Sequence, residues 1–143
     1  MGIEVPSSWL PTGSMLVLMT GVACGAALVA PTSSKLEERV TLKIGQSALI
    51  EGEALRVEFV EVLEDSRCPV GVTCVWEGDA IARFIVEKNK ERAELDLHTH
   101  PTLTGEGTHA GYIVRLVELA PVPQSDRPIQ PEDYVATIVV TKA

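Results

Sequence analysis

The chain has no lysine or arginine before Lys35, and Glu4 is the only charged residue in that stretch. The 143 residues together carry a formal charge of -8, which disfavours nucleic acid as a partner. No Gly-x-Ser-x-Gly elbow, phosphate-cradling glycine loop or His-Glu-x-x-His pair occurs, so no enzyme signature and no cofactor is read from the chain. There is no internal repeat, which excludes propellers and solenoids. The longest apolar run, Met15 to Ala30, has 16 residues and is short for a membrane span. Cysteine is sparse too, with three residues at positions 24, 68 and 74.

What is present divides at about position 39. The Met15–Ala30 run ends in small residues and is followed by the polar stretch Pro31-Thr32-Ser33-Ser34-Lys35, the pattern of a secretory signal. Residues 1–30 are read as a signal peptide or lipoprotein signal, 31–38 as a linker and 39–143 as the folded domain. Met1 to Ser14 departs from that pattern, since it lacks the positive charge with which a signal opens. Gly21-Val22-Ala23-Cys24 carries the small residue that precedes a lipidated cysteine, although Gly21 stands where an aliphatic side chain is usual. Cys24 is therefore the expected lipidation site, with simple cleavage after Ala23, Ala27 or Ala30 as the alternative. Lipidation would give membrane association, and either route places the domain in the periplasm or on the cell envelope.

Beyond the linker the apolar residues follow a period of two. Val40, Leu42 and Ile44 alternate with polar residues, as do Leu55, Val57 and Phe59, each the pattern of a strand with one buried face. The phase slips at Phe59-Val60, which predicts a β-bulge. Ala80, Ala82, Phe84 and Val86 share one face of the next strand, with Ile81 and Ile85 partly covered on the other. Tyr112 to Leu119 and Tyr134 to Val140 are apolar on both faces and predict central strands between layers. Pro101 to His109 and the proline-rich Ala120 to Asp133 predict irregular loops. About seven strands joined by Gly, Pro, Asn and Asp turns argue for an all-β domain, an antiparallel β-sandwich or a partly closed barrel.

Cys68 and Cys74 are read as a disulfide, because an exported chain matures in an oxidising compartment and Pro69 and Gly71 let the intervening loop fold back. Trp76 lies two residues past Cys74; on a strand both side chains share a face, which predicts an indole packed over the sulfurs at the core rim. Gly78 predicts a bend or a close backbone approach. The segment Asp65-Ser66-Arg67-Cys68-Pro69, four residues, then Cys74-Val75-Trp76-Glu77-Gly78 resembles the signature of a family of small bacterial secreted proteins and lipoproteins. Many members read Trp-Ala-Gly where this chain has Trp76-Glu77-Gly78. The resemblance implies an exported β domain with a Cys68 to Cys74 bridge and brings no catalytic residue with it.

The expected function is a binding or structural role in the cell envelope, with an envelope protein or small ligand as partner. Two alternatives have residues behind them. Glu94, Asp96, His98 and His100 alternate with Leu95, Leu97 and Thr99, so a His-x-His strand would chelate zinc or copper, with Asp96 supplying an oxygen or orienting a ring and His109 approaching from the next loop. Alternation equally predicts that this face is simply the wet one. A loop rigidified by the bridge and carrying Arg67 and Pro69 also suits a protease inhibitor, unless Arg67 pairs with Asp65 and only packs the turn.

Overall fold

The computed structural model describes Gly2 and residues 29–143. The lipidation reading at Cys24 falls outside them.

Among these residues nine strands form two sheets: β1 (Thr32–Ser34), β2 (Arg39–Lys43), β3 (Ser47–Ile50), β4 (Leu55–Asp65), β5 (Ala80–Lys88), β6 (Glu91–His98), β7 (Glu106–His109), β8 (Tyr112–Ala120) and β9 (Val135–Lys142). One sheet has the order β1-β3-β4-β5-β6 and the other β2-β9-β8-β7. Apart from the parallel β1–β3 pair, every pairing within the sheets is antiparallel. The fold is an all-β sandwich, not a closed barrel.

Alternation places the core where the sequence put it. Val40 and Leu42 face inward from β2, and Ala80, Ala82, Phe84 and Val86 are fully buried along β5. Phe59 and Phe84 stand opposite each other in register and stack with ring centroids 5.1 Å apart. Burying each ring contributes about 1.5–3 kcal/mol. The register of β4 against β5 shifts between Phe59 and Glu61, at the expected bulge, and again between Val62 and Glu64.

Three features differ from the sequence reading. β1 lies within the stretch read as linker, and β7 within the stretch read as irregular loop. Neither Thr-Ser-Ser nor Glu-Gly-Thr-His has apolar periodicity; each is a strand because a neighbouring edge supplies its hydrogen bonds, β3 for the first and β8 for the second. β8 and β9 are central in their sheet, but the sandwich has two layers, so their outer faces meet solvent and Val117 is exposed at a third register shift, between Leu116 and Glu118.

Strand direction sorts the connections. The tight turns after β3, β5 and β7 share one end of the sandwich. The connections 66–79, 99–105 and 121–134 share the other.

Candidate functional site

At the loop end, the first connection leaves β4 as a short two-stranded stem. The Ser66 amide donates to the Asp79 carbonyl at 2.7 Å and the Cys68 amide to that of Glu77 at 3.1 Å. Gly78 sits between them with φ +70, and a Cβ there would lie 1.9 Å from the Ser66 carbonyl oxygen, so the stem closes only around glycine. The Cys68–Cys74 disulfide is present, with Cα atoms 5.9 Å apart, and ties the loop above the stem.

Arg67 anchors this stem to the other sheet. Its guanidinium donates to both Asp65 carboxylate oxygens, Nε to Oδ1 at 2.8 Å and Nη2 to Oδ2 at 2.7 Å. It also donates to the Leu119 carbonyl at 2.6 Å and the Pro121 carbonyl at 3.0 Å. The Tyr134 hydroxyl donates to Asp65 Oδ2 at 2.9 Å. Burial pulls the Asp65 carboxyl up, but the hydrogen bonds from Arg67 and Tyr134 outweigh it and hold the group below the usual range. Burial, then the Asp65 carboxylate, push the Tyr134 phenol up to about 12. With 14% of its side chain exposed, Arg67 is a clamp and not a presented residue. A further backbone bond, from the Val70 amide to the Pro123 carbonyl at 2.9 Å, joins the disulfide loop to the proline-rich connection.

Trp76 is the correction within this loop. Residues 74–78 are not a strand, and the indole is 82% exposed instead of covering the sulfurs. Val75 beside it is 92% exposed. The face-sharing rule applies only while backbone pairing continues, and that pairing stops at the stem.

The second connection is organised by Asp79. Its Oδ2 lies 2.5 Å from His98 Nδ1, and its Oδ1 accepts from the amides of Thr99 and His100 at 3.1 and 3.0 Å. Burial raises the Asp79 carboxyl, and these donors outweigh it to leave the group below its ordinary value. Because a carboxylate only accepts, it is His98 Nδ1 that donates in this pair. The Thr99 amide also donates to the Ala80 carbonyl of β5 at 3.0 Å, whereas the His100 amide turns to Asp79, and β6 ends at His98.

The four metal candidates are therefore not gathered. His98 and His100 do not project from one strand face, because His100 lies past the strand end with Nδ1 accepting from the Thr102 amide at 3.3 Å. Asp96 is held in a fork by Arg83 at 2.8 and 3.0 Å. His109 closes β7 at the tight-turn end, and its buried Nε2 has no hydrogen-bond partner. Among the described residues no group of three or more His, Cys, Asp or Glu side chains is arranged to hold a metal ion.

Two open hollows lie at this end and share Thr99, His100 and Pro101 in their linings. The larger, about 460 Å³, is lined by His98, Thr104, Glu106 and Arg115 over Leu103 and Leu116. The smaller, about 280 Å³, lies against Cys68, Glu77, Gly78, Val122 and Pro123. Glu106 accepts from Arg115 at 3.0 Å, and Glu77 Oε2 lies 3.6 Å from His100 Nε2. The sequence singled out His98 and His100 but gave no sign of Glu106, Arg115 or Thr104, whose proximity depends on the β6–β7 crossover between sheets. Comparison with known proteins finds no family model, no curated protein and no solved structure that matches this chain, so its function is argued from this geometry.

Proposed function

We propose that the protein is an exported binding domain of the cell envelope whose working surface is the loop end of the sandwich. The observation that carries this reading is Trp76, a large indole 82% exposed beside an almost fully exposed Val75, on a loop tied by a disulfide and clamped at its stem by Arg67. A solvent-facing tryptophan on a rigid loop has little conformational entropy left to lose on docking, which is what a recognition anchor needs. Export supports the reading from another direction, since a disulfide persists in an oxidising compartment and a signal-like run precedes the domain. Lipidation at Cys24 would hold the domain at a membrane surface, and cleavage elsewhere would release it.

The test is in-cell photo-crosslinking from position 75, compared with position 94 on the outer face of the five-stranded sheet. A discrete adduct from 75 and none from 94 is the expected result. Equal labelling, or none from either position, overturns the reading.

A further inference from the structure

We propose that the disulfide loop is a membrane-contact tip, with Val72, Val75 and Trp76 entering the headgroup layer of a phospholipid bilayer. This names the partner of the binding surface proposed above and rests on that reading.

Exposed apolar side chains are concentrated at one end of the sandwich. Among the described residues ten large apolar side chains are exposed, and six of them, Val70, Val72, Val75, Trp76, Leu103 and Val122, lie on the three connections of the loop end. None lies on the tight turns opposite. Four of the six belong to the connection 66–79, which the disulfide ties, and the bond from the Val70 amide to the Pro123 carbonyl joins it to the connection bearing Val122.

Charge separates a bilayer from a protein partner. From Cys68 to Trp76 no Asp, Glu, Lys or Arg occurs, and none occurs in the connection 99–105. A protein interface sets its apolar centre within a polar rim that fixes register. A fluid headgroup layer needs only an apolar tip with an amphipathic ring, and tryptophan is enriched at that depth. The backbone suits the same layer. The amides of Cys68, Val70 and Val72 are paired within the protein and Pro69 has no N–H, so entry strands few donors on this arm of the loop.

The path of the chain turns this end toward the anchor. β1 is parallel to β3, which runs into the tight turn at Glu51, so the chain enters β1 from the loop-end side. Eight positions separate Cys24, the proposed lipidation site, from Thr32. Thr32 is level through Ala48 with Val57 of β4, which is itself eight positions before Asp65. Eight extended residues span at most about 26–29 Å, so a tether leading straight out of β1 reaches the level at which the disulfide loop begins.

The experiment uses the full chain with Trp9→Phe, which leaves Trp76 as the single indole, in phosphatidylcholine vesicles with or without a lipid brominated high on its acyl chains. Trp76 emission should move to shorter wavelength. The brominated lipid should lower it at least about twofold, since an interfacial side chain sits about 5–10 Å into the boundary of headgroups and acyl chains. Val75→Asp, at a side chain almost fully exposed in the folded protein, should abolish the quenching. Moving the indole to the outer face of the five-stranded sheet, with Trp76→Phe and Glu94→Trp, should give none either. An unquenched Trp76, quenching that survives Val75→Asp, equal quenching from position 94, or quenching that needs added phosphatidylglycerol overturns the proposal. A shift of Trp76 emission that grows with protein concentration without vesicles also overturns it, because the occupant is then a second copy of the chain. If Trp76 stays unquenched while the position 75 adduct is found, only the bilayer falls; if the adduct is missing as well, the binding reading falls with it.

Discussion

Gly78 and Gly71 both have positive φ, +70 and +83, yet they differ in what a side chain would meet. A Cβ at Gly78 collides with the Ser66 carbonyl, whereas Gly71 has nothing within 4 Å. Gly71→Ala is expected to cost about 1–2 kcal/mol, the left-handed backbone penalty alone. Gly78→Ala should cost about 3 kcal/mol or more, because the stem must open as well; urea denaturation of both variants measures the contrast. Asp79 makes a pH prediction. Its folded pKa lies below the ordinary 3.8, so it contributes stability that is fully present above that value and lost as pH falls through the folded pKa. Asp65 acts in the same sense. Asp79→Asn should therefore be less stable than the parent at neutral pH, and should lose less stability than the parent on acidification below about pH 4. Equal pH slopes in chemical denaturation would sink this assignment.

At the scale of elements, the disulfide closes a loop outside the core. The chain-entropy estimate for a six-residue separation gives a loss of about 2–2.5 kcal/mol on replacing Cys68 and Cys74 by serine. The β circular dichroism signal should persist, because no core residue lies between the two cysteines. Elements with their own apolar period were readable from the chain: β2, β4 with its first bulge, β5 and the buried faces of β8 and β9. The Val62–Leu63 doublet in β4 carries the same signal for the second bulge. β1 and β7 were not readable, because their hydrogen bonds come from β3 and β8 and their own residues carry no pattern. The candidate site was readable only in part for a related reason. Period-2 alternation placed Asp96 and His98 on a wet face, but the amide of His100 turns to a carboxylate 21 residues away in the chain.

For the whole molecule, the two ends of the sandwich differ in build. One end closes with tight turns, and there Glu53 accepts from the Tyr112 hydroxyl and from Lys142 at 3.0 Å. The other end gathers three long connections, the disulfide and Trp76, and is the end proposed to bind. The measurement that tests this division most directly is the position 75 photo-adduct in the Trp76→Ala background, taken with that variant's urea unfolding. The account predicts that the adduct disappears while stability changes by no more than about 0.5 kcal/mol, as for an exposed side chain without packing partners. An adduct that survives the substitution, or a loss of about 3 kcal/mol or more of the kind a packed tryptophan gives, would contradict it.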